Sequence, residues 1–411
     1  MSGDAAAARG IEIAGVPFEF VLFAVTLAAV AVLHRHSLQA ALAGLAAVTA
    51  YKLFATGFDG IAGAAGLAHH LRLEWVVLVN LFGLLMGFAL LSRHFEESGV
   101  PDQLPDFLPD DWRGCFVLLV MVFVLSSFLD NIAAALIGGT VARTVFRGRV
   151  HVGYIAALVA ASNAGGSGSV IGDTTTTMMW IDGVSPVDVV HAYVAAGVAL
   201  VVFGIPAARQ QQRYAPIART ATAGVRVDGA RLATVAFVLV VAIVVNVALN
   251  VYHPDLAKQW PFLGAAVWAA LLVAVPLRQP DWSVLPATLR GTIFLLALVL
   301  SASMMPVERL PAPSWMATLG LGFVSAVFDN IPLTKLALTQ GGYDWGMLAY
   351  AVGFGGSMIW FGSSAGVAIT NLFPEGRSVG AWLQAGWHVA LAYVVGFAAL
   401  LLTLGWQPHG P

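Results

Sequence analysis

Charged residues are scarce in this 411-residue chain, in which Asp, Glu, Lys and Arg together make up 10% of the sequence. An ordinary soluble domain carries roughly a quarter charged residues. The 20 Lys and Arg residues are matched by 22 Asp and Glu residues, so the basic surface of a nucleic-acid-binding protein is excluded. Hydrophobic residues reach 59%, with a mean hydropathy of +0.83. This composition predicts a polytopic membrane protein.

Cysteine is nearly absent as well. The single cysteine, Cys115, excludes an intrachain disulfide and a cysteine-rich metal site. The Gly-rich run at 165–169 lacks the Gly-Lys-Ser/Thr ending of a phosphate-binding loop, so no nucleotide is predicted. The sequence shows no pattern of Ser, His and Asp, or of an activated cysteine, that indicates nucleophilic catalysis. We therefore expect a protein that is not an enzyme and that has no cofactor.

Long apolar runs dominate the sequence instead. A helix that crosses a hydrocarbon core of roughly 30 Å needs about 20 residues. Apolar runs of about this length, bounded by charged residues, Pro or Trp, predict ten membrane spans. These runs are 17–34, 38–56, 72–92, 151–181, 188–206, 231–252, 261–277, 286–305, 344–371 and 380–404.

Two further apolar stretches, 113–146 and 312–340, are too long for one span, and each has Asp-Asn near its middle. A straight crossing would expose Asp130 or Asp329 to lipid, at a cost of about 2.5 to 3.5 kcal/mol. A re-entrant helical hairpin would instead place its tip inside the protein, where irregular backbone at membrane depth is tolerated. We therefore predict two re-entrant hairpins.

The chain also contains an internal repeat. The sequence Ser-Ser-Phe-Leu-Asp-Asn-Ile at 126–132 corresponds to Ser-Ala-Val-Phe-Asp-Asn-Ile at 325–331, and Gly-Gly-Ser recurs at 165–167 and 355–357. Each half has three spans, a hairpin and two spans. Five crossings is an odd number, so the second half must enter from the opposite side. The predicted fold is an all-helical membrane protein with two inverted-topology repeats, an arrangement known in secondary transporters.

This topology divides the chain into five segments. They are the first scaffold spans at 1–112, the first hairpin and transport spans at 113–206, a linker at 207–230, the second scaffold spans at 231–311, and the second hairpin and transport spans at 312–411. Most Arg residues, including those of the linker, then share one face, which the positive-inside rule assigns to the cytoplasm. Both termini are accordingly predicted to be periplasmic, in a bacterial inner membrane.

Small residues interrupt the span that follows each hairpin. Glycines at such a density indicate unwound backbone, whose free carbonyl groups can coordinate a cation. A structural alternative is close helix packing of the small-xxx-small type. The glycines predicted to lie in unwound backbone are Gly165, Gly166, Gly168, Gly172, Gly355, Gly356 and Gly362.

The acids within the apolar runs are the candidate ion-binding groups. Burial disfavours the charged form of a carboxyl group and a bound cation favours it, so one site can hold a cation or a proton. We expect Na⁺ to bind at Asp130 and Asp329, assisted by Asp173. The second half has Ser363 where the first half has Asp173. A structural alternative is that each tip Asp only caps the returning helix.

Neutral groups near these acids complete the predicted site. Asn131, Asn163 and Asn330 offer oxygens suited to a hard cation or amide donors suited to a carboxylate. Thr174 begins a run of hydroxyl groups directly after Asp173. Lys335 is expected either to pair with Asp329 or to snorkel along its helix.

The Asp-Asn tips, the run at 163–177 and the run at 355–366 together resemble the ion transporter superfamily, most closely its NhaD-type sodium/proton antiporters. The resemblance covers about 120–200 and 320–400. It implies inverted repeats, two re-entrant hairpins and a homodimer with an elevator-like transport domain. The dicarboxylate and citrate branches have tips that resemble Ser-Asn-Thr, where this sequence has Asp-Asn-Ile. Carboxylates in place of hydroxyls favour cations over a dianion.

We therefore predict an exchanger of Na⁺ or Li⁺ for H⁺, whose partners are small ions and membrane lipid. The first alternative is a Na⁺- or H⁺-coupled transporter of a di- or tricarboxylate or of an oxyanion such as arsenite. The second alternative is a membrane assembly component that transports nothing. Acids retained in the apolar runs of both halves disfavour the second alternative, because buried charge is costly.

Overall fold

A computed structural model describes residues 10–33, 36–58, 60–217, 226–253, 256 and 259–409. The regular structure of these residues is helical, apart from one short antiparallel pair, β1 (Glu12–Ile13) and β2 (Val16–Pro17), and an isolated bridge between Phe58 and Ile61. Ala14 and Gly15 join these strands with φ values of 52° and 80°. Positive φ at both central residues is typical of a two-residue hairpin turn. The prediction of a purely helical chain did not include this small hairpin.

The first half of the chain forms helices that follow the predicted apolar runs. A π-helix, Lys52–Thr56, extends the second helix, and a 3₁₀ turn, Leu104–Phe107, follows the fourth. The helices are α1 (Phe18–Val32), α2 (Ser37–Tyr51), α3 (Gly63–Glu96), α4 (Val100–Gln103), α5 (Trp112–Ser126), α6 (Asn131–Val145), α7 (Val152–Ser167), α8 (Thr174–Ile181), α9 (Pro186–Val190) and α10 (Ala192–Tyr214).

The second half continues in the same manner, with 3₁₀ turns at Trp282–Val284, Val307–Arg309 and Pro374–Arg377. The helices are α11 (Gly229–Tyr252), α12 (Phe262–Ala274), α13 (Leu285–Ser303), α14 (Trp315–Ser325), α15 (Asn330–Gln340), α16 (Trp345–Gly355), α17 (Ser364–Leu372), α18 (Val379–Ala385) and α19 (Trp387–Leu404).

Six helical segments of the described chain are long and apolar enough to cross a membrane. They are Ser37–Thr56, Gly63–Glu96, Pro186–Tyr214, Gly229–Leu249, Trp282–Ser303 and Trp387–Leu404. The remaining apolar helices are shorter, and the predicted spans 151–181 and 344–371 are each broken into two helices. The chain is therefore a helical membrane protein with interrupted spans, whereas ten crossings and inverted repeats remain predictions.

Both long apolar stretches break at their Asp-Asn dipeptides. Helix α5 ends at Ser126 and α6 begins at Asn131, while α14 ends at Ser325 and α15 begins at Asn330. The helix cannot continue through these points, because the Asp before each Asn has an extended backbone and caps the next helix. The helix breaks thus occur at the predicted points, and re-entry of these helices remains a prediction.

The apolar cores group the helices. The largest core is formed mainly by α5–α10 and α15–α19. A second core joins α3, α11 and α12 with Ile171 and Trp180, and a third joins α1, α2 and α13. The predicted linker 207–230 begins within α10, where Gln211 is fully buried. Gln211 bonds the backbone at Arg149 and His151, so this part of the segment is packed helix. Residues 218–225 of the linker lie outside the described residues.

Candidate functional site

The two tip aspartates have the same local geometry. Asp130 has φ and ψ of −52° and 140°, and Asp329 has −54° and 139°. Oδ1 of Asp130 accepts a hydrogen bond from the amide of Ile132 at 2.8 Å, and Oδ1 of Asp329 accepts one from Ile331 at 3.0 Å. Both residues therefore cap the helices that follow them, while ion binding at either residue stays a prediction. Capping uses one carboxylate oxygen in each case and so leaves the other able to bind a cation.

A second matched pair occupies the N-cap positions of the helices after the glycine runs. Asp173 precedes α8 with φ and ψ of −142° and 144°, and Ser363 precedes α17 with −140° and 154°. Asp173 is 4% exposed, and its Oδ2 accepts a hydrogen bond from the Thr175 hydroxyl. Ser363 is 2% exposed, and its Oγ accepts from the Gly366 amide at 3.2 Å. The positions match in backbone, but only the first carries a charge, as the sequence indicates.

Buried amides connect these positions across the two halves. Nδ2 of Asn131 donates to Asn163 Oδ1 at 3.1 Å and to Asp173 Oδ1 at 3.2 Å. Nδ2 of Asn163 donates to the hydroxyl oxygens of Ser357 at 2.9 Å and Ser363 at 3.1 Å. The five side chains form one polar network inside the largest apolar core. Ser357 was not predicted as a site residue, although it belongs to the repeated Gly-Gly-Ser motif and could have been identified from it.

A cavity of about 450 Å³ opens onto this network. Asp130, Asn131, Asp173 and Thr174 line it from the first half, and Asn330 lines it from the second half. Its opposite wall is apolar and is formed by α3 and α13. The wall residues of these two helices include Leu81, Leu84, Leu85, Phe88, Gly291 and Leu295. The cavity thus presents carboxylates and amides on one side and an apolar surface on the other.

Asp329 lies in a second cavity of about 290 Å³, together with Ser363 and Asn371. Ile132 and Ser364 line both cavities and therefore stand between them. Asp130 and Asp329, at which the sequence predicts Na⁺ binding, thus line neighbouring cavities. Neither Ile132 nor Ser364 was identified from the sequence, because an apolar residue and a lone Ser carry no distinctive signal.

The glycines act mainly by allowing close approach of backbones. Gly165 and Gly355 lie inside helices α7 and α16, where an added Cβ would meet the backbone of Phe123 and of Gly322. Gly166 also lies inside α7. The small-residue packing alternative is therefore correct for these three.

The other predicted glycines are at or within the breaks. Gly168 and Gly356 are the C-caps of their helices, and Gly172 and Gly362 lie in the non-helical segments. A Cβ at Gly172 would meet the carbonyl of Ser126, and one at Gly362 would meet that of Ala326 at 2.5 Å. Each break thus packs directly on the end of the helix that precedes an Asp-Asn tip.

Lys335 does form a buried ion pair, but with a different partner from the one predicted. Its Nζ lies 2.9 Å from Oε2 of Glu74 on α3. Lys335 is six positions after Asp329, so the two side chains project from different faces of the helix. Glu74 was missed because its position near the start of a predicted span, two residues after Arg72, made it unremarkable in the sequence.

The mouth of the larger cavity is charged. Arg93 and Glu96 line it at the end of α3. Arg93 contacts Glu96 at 3.3 Å and both Glu97 and Asp281 at 3.0 Å. Hydrogen bonds from Ser283, with Arg93 adding to them, hold the pKa of Asp281 below its usual range. The one arginine among the residues that line this cavity is therefore already bound to carboxylates.

Comparisons with known proteins show what this chain is similar to. The sequence profile of the CitMHS citrate transporter family matches residues 11–355. "Sodium/proton antiporter 1" of Arabidopsis thaliana is 28% identical over 323 residues, which cover 67% of this chain and 54% of that protein. The chain thus spans about half the length of that relative. "Sodium/proton antiporter 2" of the same plant is 26% identical over 331 residues, covering 67% of this chain and 74% of that protein.

A solved structure is also similar. The YdaH transporter of Alcanivorax borkumensis, whose crystal structure is described as having an unusual topology, aligns with a TM-score of 0.44 and 15% sequence identity. The alignment covers 96% of this chain and 100% of that protein.

Proposed function

The chain belongs to the CitMHS citrate transporter family and is a secondary transporter, and on this premise we propose that it exchanges Na⁺ or Li⁺ for H⁺. The transported ions bind at the carboxylates and amides of the larger cavity. Asp130 and Asp173 supply the negative charge, and Asn131, Asn330 and Thr174 supply neutral oxygens. Asp329 and Ser363 form the equivalent position in the second cavity.

The observation that carries this proposal is the charge of the inner wall. Two carboxylates, Asp130 and Asp173, line the same cavity, and Asn131 bonds Asp173 within it. In a medium that excludes water, unpaired carboxylates attract a cation or a proton and repel a dianion. Carboxylate, amide and hydroxyl oxygens also form the ligand set preferred by hard cations.

Exchange follows from competition at these groups. A carboxyl group removed from water is stabilised by a bound proton or by a bound cation, but one oxygen set does not hold both well. A cation that leaves to one side is replaced by a proton taken from that side. Cycling between two access states then couples the two gradients.

For access to alternate, we propose that α5–α10 and α14–α19 move as one group against the scaffold formed by α1–α3 and α11–α13. The apolar cores support this division, because the largest core is formed mainly by helices of the moving group, although Leu81 and Val299 of the scaffold also contribute to it. The helices broken at Asp130 and Asp329 would then be re-entrant hairpins of a homodimer in the inner membrane. Their packing against Gly172 and Gly362 gives each tip a rigid support.

The names of the two Arabidopsis relatives also favour Na⁺ and H⁺ as the exchanged ions. Both are called sodium/proton antiporters, and both match about two thirds of this chain. The hairpin tips of this chain also carry Asp where the citrate branch of the ion transporter superfamily has tips that resemble Ser-Asn-Thr.

A second candidate is transport of citrate or a similar anion coupled to Na⁺ or H⁺. The family description and Arg93 in the cavity lining favour it. Against it, Arg93 is held by Glu96, Glu97 and Asp281 at the mouth and not at the inner wall. Uptake of labelled citrate into proteoliposomes, in a gradient of Na⁺ or H⁺, separates the two candidates.

The deciding experiment is cation-driven proton movement by purified protein in proteoliposomes that carry a pH-sensitive dye. We expect Na⁺ or Li⁺ to shift internal pH between pH 7 and 9, and Asp130→Asn to abolish the shift. Asp111→Asn is a matched control, because Asp111 also caps a helix, accepting from the Arg113 amide at 2.9 Å, but is exposed and outside the cavity. Because Asn caps a helix as well as Asp does, both variants keep the cap and lose one negative charge. They differ in whether that charge lies in the cavity. A wild-type protein without cation-dependent pH change would overturn the proposal.

A further inference from the structure

A buried ion pair joins α3 to α15 outside the candidate ion site. Nζ of Lys335 lies 2.9 Å from Oε2 of Glu74, and the two side chains are 6% and 14% exposed. Neither residue lines the larger or the second cavity. Charged side chains in a membrane-spanning helix are costly and usually mark a function, because a structural role is more cheaply filled by apolar residues.

The pair lies beyond the lining residues of the larger cavity, on the side away from Arg93 and Glu96. Along α3 the lining residues run from Leu81 to Glu96 at the mouth, and Glu74 lies about two helical turns before Leu81. Along α15 the lining residues are Asn330 and Ile331, and Lys335 lies about one turn farther on. The ion pair therefore lies between α3 and α15 on the side of the site away from the mouth.

Other polar contacts at this level hold the scaffold together. Nε2 of His70 lies 3.0 Å from Oγ of Ser303, and Nζ of Lys52 donates to the Met304 carbonyl at 2.7 Å. These bonds connect α2 and α3 with the end of α13, all of which lie in the proposed scaffold. The bond between Glu74 and Lys335 differs because it connects the scaffold with the group that we propose to move.

We propose that the Glu74–Lys335 ion pair is the gate on this side, holding α15 against α3 in the state seen here and separating when the site opens to the opposite face. The inference rests on the proposed alternating access. Separation of the pair in a dry environment would leave two uncompensated charges. The pair therefore opens only as water enters from that face, which links its rupture to exposure of the site.

The test measures access to the cavity and does not depend on which ion is carried. Cys115 is buried and is replaced by Ser, and Leu295→Cys places one reporter thiol in the cavity wall. A membrane-impermeant maleimide is applied to vesicles of each orientation. The double variant Glu74→Gln with Lys335→Met removes the pair without leaving an unpaired charge, so it has the better prospect of folding.

Reporter protein with the pair intact should be labelled from the mouth side. In the double variant, labelling from the opposite side should rise about tenfold or more, since the rate follows the population of the open state. The matched control is Glu12→Gln with Arg309→Met, which removes an exposed ion pair of 3.3 Å. It should leave labelling one-sided. Lys335→Arg, which keeps the positive charge, should also stay one-sided.

Unchanged one-sided labelling of a folded double variant would overturn the gate, and so would two-sided labelling of the exposed-pair control. The outcome is separate from the ion proposal. If the wild-type protein exchanges no Na⁺ for H⁺ but the double variant opens the second route, the gate stands and the cargo is wrong. If exchange is present and labelling stays one-sided, the cargo stands and the gate is wrong.

Discussion

The side-chain amide of Asn163 donates a hydrogen bond to Ser363 at 3.1 Å and so joins the first half of the chain to the second. The same amide donates to Ser357 at 2.9 Å, and its oxygen accepts from Asn131 at 3.1 Å. Asn163 is fully buried. One side chain therefore connects the first Asp-Asn tip with the cap of α17, and so links the two regions that we propose to bind ions.

We expect Asn163→Ala to lower the apparent affinity for Na⁺ about tenfold and to lower the melting temperature, because buried partners left without a hydrogen bond cost about 1 to 3 kcal/mol. Exchange in proteoliposomes and melting in detergent measure the two effects. Ser162→Ala is the neighbouring control, since that hydroxyl donates to the carbonyl of Val159 within its own helix. Equal behaviour of the two variants would contradict a bridging role for Asn163.

Asp173→Ser gives the first half the residue that the second half has at Ser363. Ser is a good helix cap, so α8 should still form, but the charge of the larger cavity is reduced. We expect exchange to fall at least about tenfold with little change in melting temperature, since transport needs the carboxylate. Asp344→Ser is the control, because Asp344 is a buried cap of α16 outside both cavities. Full activity of Asp173→Ser would exclude Asp173 from ion binding.

The sequence is sufficient to predict the helix breaks, since they follow from local chemistry. An Asp-Asn inside an apolar run combines a strong helix cap with a charge that lipid does not accept, so the breaks before Asn131 and Asn330 could be expected. The matching of Asp173 with Ser363 also follows from the repeated glycine motif. These features need only a few neighbouring residues.

Contacts between distant segments could not be predicted in the same way. The partner of Lys335 lies on α3, and nothing near Glu74 in the sequence points to it. The division of Asp130 and Asp329 between two cavities depends on Ile132 and Ser364, whose positions are set by packing. Periodicity and motif spacing do not specify such distances, because they arise from the tertiary arrangement.

The ion pair between Arg278 and Asp228 should make the melting temperature depend on pH only in the acidic range. Arg278 bonds Asp228 at 2.7 Å and, as the largest cause, holds the pKa of that carboxyl below its usual value. A lowered pKa contributes stability above the usual value of about 3.9, and this is lost as pH falls through the folded value. Melting temperatures of wild type and Asp228→Asn should therefore differ by a constant amount from pH 5 to 8 and converge below about pH 4. Convergence already between pH 5 and 8 would contradict this origin.

The packing of Gly165 against the backbone of Phe123 leaves no room for a side chain at this position. A Cβ there would overlap the Phe123 carbonyl, and backbone cannot move aside as a flexible side chain can. We expect Gly165→Ala to destabilise the protein by about 1 to 3 kcal/mol, as overpacking does in cores.

Gly197→Ala is the matched control, because Gly197 is also inside a helix but has no atom within 4 Å of an added Cβ. It should raise stability by up to about 1 kcal/mol, since Ala favours a helix over Gly. Thermal melts of the two variants in detergent should thus shift in opposite directions. A shift of the same sign in both would mean that α7 and α5 do not approach as closely as their glycine contact requires.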